Sequence, residues 1–240
     1  DAADCGTTDG TGNFSFMVAG DTVANDQLTF FIDGGVNFGN TVTVATGGDI
    51  STLKIYQNHV IVRHDQGSSI SIAQMDAYDN STGNSTDMLF DATDSTTDTL
   101  TVEDGNELYI PSGVTFTPAG NLDNGSGTGV DDIKIVGTYT ASTSESILVS
   151  GSWTNSGTFT ASTSTVTFDA PGATTETINS TGATLASFNN VTFNDAGGGA
   201  TFQLSSAFHV NGNLTITGGT LNTNGQNNTL AGNNDNDDTL

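Results

Sequence analysis

The sequence predicts an all-β protein, a parallel β-helix or β-solenoid with coils of about 20 residues, and three observations predict it. Helix-forming residues are scarce, short apolar alternations recur between turn residues, and one phrase returns almost unchanged further along the chain.

The 240 residues include four Glu (Glu103, Glu107, Glu145, Glu176), two Lys and one Arg, while Thr, Gly, Ser, Asn and Asp abound. Long straight side chains favour helices, whereas β-branched residues fit a pleated surface and Gly, Asn, Asp and Ser fit turns. The composition therefore asks for strands and turns throughout.

The alternations are Leu100-Thr101-Val102, Leu108-Tyr109-Ile110, Val114-Thr115-Phe116, Ile133-Lys134-Ile135, Val191-Thr192-Phe193, Phe202-Gln203-Leu204 and Leu214-Thr215-Ile216. Successive strand residues point to opposite sides, so each triplet reads as a strand with one buried face.

The repeated phrase runs Gly137-Thr138-Tyr139-Thr140-Ala141-Ser142-Thr143-Ser144 and returns as Gly157-Thr158-Phe159-Thr160-Ala161-Ser162-Thr163-Ser164. Apolar alternations follow both copies, Ile147-Leu148-Val149 and Val166-Thr167-Phe168. Strands this short bury little singly, but coils stacked at the strand spacing of about 4.8 Å pool them into one core. Like residues then lie above like, and each such pair contributes about 0.2–1 kcal/mol. A β-sandwich with long hairpins also uses short strands and frequent turns, and is the alternative architecture. The repeat favours the solenoid.

Gly suits corners that need positive φ, and Asn tolerates them, so Asn124-Gly125, Asn211-Gly212 and Asn224-Gly225 mark corners. Pro111, Pro118 and Pro171 all stand beside turns.

Residues 1–95 are less regular. Their expected strands are Leu28-Thr29-Phe30-Phe31-Ile32, Val42-Thr43-Val44, Lys54-Ile55-Tyr56 and Val60-Ile61-Val62, forming irregular coils, a cap or a separate β domain. Residues 79–99 are polar around one apolar anchor, Met88-Leu89-Phe90, and read as a long surface loop or junction. The repeat region is accordingly placed at 96–240.

Leu, Ile, Val and Phe make up about 22% of the chain, near the roughly 20% below which a highly charged chain is disordered, so the folding case rests on pattern. Only Lys54, Lys134 and Arg63 are basic against 27 acids, a net charge of -24. That charge repels phosphates and anionic lipid, which argues against nucleic-acid partners and direct membrane insertion. No run of residues approaches the roughly 18 apolar side chains needed to span a bilayer. Asp1-Ala2-Ala3-Asp4 fits a mature end left by cleavage of an export signal. Cys5, the single cysteine, excludes an internal disulfide and leaves a free thiol or a bond to another chain.

One stretch carries a resemblance: Gly151-Ser152-Trp153-Thr154-Asn155-Ser156-Gly157-Thr158-Phe159-Thr160, then Ser187-Phe188-Asn189-Asn190-Val191-Thr192-Phe193, then Val210-Asn211-Gly212-Asn213-Leu214-Thr215-Ile216. Together with Gly219-Thr220-Leu221-Asn222-Thr223-Asn224-Gly225, it resembles the repeats of large secreted bacterial adhesin-like β-solenoid proteins over residues 148–232. The resemblance implies solenoid architecture and an extracellular or cell-surface location. It brings no catalytic residue with it.

Acidic clusters are the metal candidates: Asp91, Asp94 and Asp98; Glu103, Asp104 and Glu107; and Asp235, Asp237 and Asp238. Ca²⁺ takes about six to eight oxygen ligands, which carboxylate-rich loops can supply, but none of the clusters has the spacing of a known calcium loop. Ca²⁺ is thus the candidate ligand at Asp91, Asp94, Asp98, Asp235, Asp237 and Asp238, and no cofactor is required. Glu103 and Glu107 could form the carboxylate pair of a polysaccharide-cleaving enzyme, yet the chain has few bases to serve such chemistry. His59 and His64 fall on opposite strand faces without metal-ligand spacing, and His64 with Asp65 reads as a surface pair. Trp153 and the Phe residues could stack sugars, but their alternation places them in the core.

The expected role is an extracellular structural protein, a filament, sheath or stalk subunit that self-associates through strand edges or termini, and not an enzyme. The alternatives are a carbohydrate- or host-binding adhesin module whose head is residues 1–95, and a polysaccharide-active enzyme.

Overall fold

The computed structural model describes residues 6–15, 23–67, 69–79, 87–93, 98–124, 131–182, 187–195, 198–232 and 234–236. Each coil takes three strands in a fixed order, one on each of three faces. Glu107–Ile110, Thr115–Phe116 and Asn121–Asn124 make one coil, and Asp132–Ile135, Thr138–Thr140 and Ser146–Val149 make the next. About seven turns stack in this way into a β-solenoid. At the usual strand spacing the stack rises roughly 34 Å.

Among the described residues the first face has nine strands, Ala24–Phe31, Asn40–Thr46, His59–Val62, Glu107–Ile110, Asp132–Ile135, Trp153–Asn155, Thr175–Ser180, Thr201–Leu204 and Thr220–Asn222. All its pairings are parallel except the first, where Ala24–Phe31 runs antiparallel to Asn40–Thr46. The third face starts in the same manner, with Phe90–Thr93 antiparallel to Thr99–Val102 before parallel pairing takes over. Strands on both sides of residue 95 share these sheets.

Alternation sets what each strand buries. Leu108 and Ile110, Ile133 and Ile135, and Ile147 and Val149 turn inward, while Tyr109, Lys134 and Leu148 turn outward. The repeated phrase stacks as expected: Tyr139 lies directly opposite Phe159, with ring centroids 5.5 Å apart. That pair belongs to a longer aromatic column of Phe116, Tyr139, Phe159, Phe188 and Phe208, with successive centroids 5.4, 5.5, 5.6 and 5.2 Å apart. Trp153 packs 4.9 Å from Phe159, and Phe168 stacks on Phe193 at 5.3 Å. Edge-to-face aromatic pairs add about 0.5–1.5 kcal/mol beyond the area they bury. A core assembled this way holds a chain whose apolar content is low.

The coil length is less regular than the repeat suggests. Compared with the step from Tyr139 to Phe159, the step from Leu108 to its partner Ile133 is longer, and the step from Ile147 to its partner Val166 is one position shorter. That lost position falls in the corner formed by the end of the phrase, where Ser144 in one coil and Ser162 in the next take positive φ near 60° and 50°. The first coil is the longest, since His59 pairs with Glu107 only after a wide excursion of the chain. This excursion carries two short 3-10 turns, Ile72–Gln74 and Asp76–Tyr78, and the strand Phe90–Thr93. Met88, Leu89 and Phe90 are buried, so this segment is anchored in the core and is not a simple surface loop.

Glycine acts at the corners in two ways. Asn224 and Gly225 both have positive φ, as a left-handed corner requires. Gly137, Gly157 and Gly182 are different: they stack at successive corners, and a Cβ on Gly157 would sit 2.0 Å from the Gly137 carbonyl oxygen. Close approach of the coil below, not backbone handedness, selects glycine there.

Candidate functional site

The outer surface follows from the same alternation. On the second face Ser69, Thr115, Thr138 and Thr158 stand in register, and on the third face Thr167, Thr192 and Thr215 do so. These are ladders of small hydroxyls, suited to tight coil stacking and a solvated surface.

One outward patch differs. On the first face His59 and Glu107 lie opposite each other in register, and His59 Nε2 is 3.0 Å from Glu107 Oε1. Tyr109, further along that strand, pairs with Lys134 of the next coil, whose Nζ lies 5.3 Å from the ring centroid. Tyr56, in the turn before His59, completes the group, with its centroid 5.6 Å from His59 and 6.2 Å from Tyr109. Burial raises the Glu107 carboxyl above its ordinary value, against the pull of His59 and Lys134, and Asp132 alongside adds to the rise.

At the residues that precede the two strands of this patch lies an open cleft of about 410 Å³, lined in part by Phe38, Met88, Leu89, Asn58, Glu103 and Asp104. Asn106 holds the turn closed, donating from its side chain to the Glu103 carbonyl at 2.6 Å and the Asp104 carbonyl at 3.1 Å.

Other acids are structural. Asp131 is buried between coils and accepts from the Gly105 N–H at 2.6 Å, the Asn106 N–H at 3.2 Å and the Ser150 hydroxyl at 3.2 Å. Burial outweighs these bonds and pushes its carboxyl up to about 6. Glu145 is buried as well, accepting from the Tyr139 hydroxyl and from the Ser142 N–H and hydroxyl. Its carboxyl is raised by burial, and burial together with Glu145 drives the Tyr139 hydroxyl well above its ordinary value.

The acids singled out as calcium candidates are placed as follows. Asp91 lies on Phe90–Thr93 opposite Thr101, and Asp98 immediately precedes Thr99–Val102, where its carbonyl accepts from the Asn121 N–H at 2.7 Å. Asp235 is on the strand Asn234–Asn236, paired with Thr215. Asp94, Asp237 and Asp238 lie outside the described residues, as does Cys5. Among the described residues, no three His, Cys, Asp or Glu side chains are grouped so as to share a metal ion. Glu103 and Glu107 separate in role, Glu103 lining the cleft and Glu107 engaged by His59.

The structure bears on two further readings. Asp65, which interacts electrostatically with His64 as expected, also pairs with Arg63 and with the Thr43 hydroxyl at 2.6 Å. Burial alone would raise the Asp65 carboxyl, yet these partners hold it below its ordinary value. For His64, burial lowers the ring's proton affinity in spite of Asp65 beside it. Trp153 and the Phe residues of the column are buried in the core, as their alternation predicts, and offer no surface to a sugar. The pairing of His59 with Glu107 had no sequence signal, because the longest coil of the stack separates them.

No family model matches this sequence, and neither a curated protein nor a solved structure matches it. Among the described residues no helix is long and apolar enough to cross a membrane.

Proposed function

We propose that the chain is an extracellular structural protein, the rod of a stalk, sheath or filament, which joins its neighbour through strand edges. The observation that carries this reading is the stack itself, about seven coils in parallel register behind one end that carries antiparallel strands. At one end the first face closes with the antiparallel strand Ala24–Phe31. On the third face at that end, Phe90–Thr93 is also antiparallel, and its Ala92 N–H donates to the buried Asp79 carboxylate at 2.7 Å. The register shift between Ala24 and Gln27 and the inward-pointing Asp79 carboxylate are devices that blunt a sheet edge.

Away from that cap all three faces continue as parallel strands through Thr220–Asn222, Asn228–Leu230 and Asn234–Asn236. A parallel edge is a template for more coils or for a second copy, because its N–H and C=O groups accept strand addition. The exterior supports the same role: hydroxyl ladders give a solvated shaft, and the buried acids serve to tie coils together. Extracellular placement rests on the acidic, lysine-poor composition and on the resemblance of residues 148–232 to secreted adhesin-like repeats.

A charge of -24 per copy opposes end-to-end joining, so divalent cations or high salt favour it. Negative-stain microscopy with Ca²⁺, with high salt and with chelator tests the proposal. Rods one solenoid wide that lengthen with cation or salt and shorten on removal support it. Single short stacks under every condition overturn the assembly claim.

A further inference from the structure

The chain has three Lys or Arg residues, three His and four Tyr, yet Tyr56, His59, Tyr109 and Lys134 converge on one patch of the first face. Elsewhere the described outer faces present mainly Thr, Ser, Asn and Asp. Tyr56 is 39% exposed, the one aromatic ring among the exposed large apolar side chains of the described residues. It is held by two ring contacts, to His59 and to Tyr109, and His59 is itself fixed by Glu107. An exposed ring oriented by its neighbours is prepared to stack.

The cleft is reached through the residues that immediately precede the platform strands. Asn58 lines it and immediately precedes His59, while Asn106 lines it and immediately precedes Glu107, so the cleft lies at the entry end of the two platform strands. Its volume of about 410 Å³ is within the roughly 300–1,000 Å³ of small-molecule sites. Amides and carboxylates at its wall, Asn58, Glu103 and Asp104, are acceptors and donors of the kind that hydroxyl groups satisfy.

From this juxtaposition we infer that the Tyr56–Tyr109 platform and the adjoining cleft form a binding site for a neutral saccharide chain. One sugar ring stacks its C–H face on Tyr56, and the next places its hydroxyls against Asn58, Glu103 and Asp104. Charge decides the class of sugar. Glu103, Asp104, Glu107 and Asp132 surround the site against His59 and Lys134, so uronic or sulfated chains are repelled. Lys134 already sits over the Tyr109 ring, which disfavours a cationic ligand on the same platform. The site belongs to the capped end of the rod, and it does not depend on end-to-end assembly.

Isothermal titration of the full chain with neutral hexasaccharides of β-glucan, mannan and xylan, and with hexagalacturonate, tests the inference. At least one neutral hexamer binds with a Kd below about 1 mM, and hexagalacturonate binds more weakly than that hexamer. Tyr56→Ala weakens binding about tenfold, whereas Tyr56→Phe, which keeps the ring, stays within about threefold. Tyr56 lies outside every strand, so thermal melts of both variants should match that of the unaltered chain. The inference is overturned if none of the three neutral hexamers binds, if Tyr56→Ala binds as well as the unaltered chain, or if hexagalacturonate binds more tightly. Binding by single, unassembled rods would leave this site standing while the assembly claim fails, so the two results are separable.

Discussion

Phe159→Ala removes the ring at the centre of the aromatic column. Phe159 is buried and touches Tyr139 in the coil on one side at 5.5 Å, Phe188 in the coil on the other at 5.6 Å, and Trp153 of its own coil at 4.9 Å. Truncating a buried Phe to Ala costs about 3–5 kcal/mol, from lost transfer energy and the cavity left behind. Two of the contacts are edge-to-face, each worth about 0.5–1.5 kcal/mol, which places the expected loss at the upper end, about 4–5 kcal/mol. Rigid coil backbones above and below limit collapse of the cavity, because each coil contacts only its neighbours. Urea unfolding followed by fluorescence of Trp153, the chain's one tryptophan, reads the effect where it occurs. Thr160→Ala, the next residue and an exposed one, is the control and should stay within about 0.5 kcal/mol. A loss below about 2 kcal/mol for Phe159→Ala, or one equal to the control, refutes the shared aromatic core.

Gly157→Ala places a methyl 2.0 Å from the Gly137 carbonyl oxygen, so the corner must open; a loss of about 3 kcal/mol or more is expected in the same unfolding assay, and a near-neutral result contradicts the close stacking of corners. Tyr139→Phe leaves buried Glu145 without its hydroxyl donor and should cost about 1–3 kcal/mol by urea unfolding, although Phe159 in the next coil shows that the bare ring fits. The pH dependence runs opposite to ordinary acid denaturation. Asp131 holds its proton up to about pH 6 when folded but loses it near the ordinary 3.8 when unfolded, so its contribution is complete below about 4 and gone above about 6. Buried Glu145 and Glu107, raised in the same direction by burial, add to this trend. Melting temperature should therefore rise as pH falls from about 7 to about 5, and Asp131→Asn should flatten the rise; a fall over that range refutes the assignment.

Much of the architecture was legible because the solenoid reuses one local rule. Alternation in Leu108-Tyr109-Ile110 or Ile133-Lys134-Ile135 reports directly which side chains enter the core, and the Tyr139/Phe159 match reports which residues stack. The coil length was less legible, since insertions and deletions fall in corners that leave no apolar trace: the chain between Leu108 and Ile133 is longer than that between Ile147 and Val166, yet both pairs end in register. Corner glycines showed as glycines, but their reason did not. Gly157 needs room for the Gly137 carbonyl, a contact between residues of different coils. The outward patch was the least legible. Glu103 and Glu107 stand out in the sequence as neighbouring acids, yet the fold gives Glu107 to His59 across the longest coil of the stack. Tyr56, read as part of a strand, lies in the turn ahead of one, where no alternation fixes its direction.

In the solenoid, layers of chain lie one above another, and proximity between rings in adjacent layers tests this most directly. In a deuterated protein with protonated Tyr and Phe rings, a NOESY spectrum should show Tyr139 ring protons in contact with those of both Phe116 and Phe159, whose centroids lie 5.4 and 5.5 Å away. Phe159→Leu should delete one set of cross-peaks and keep the other. Absence of both sets in a folded sample would contradict the stacked arrangement.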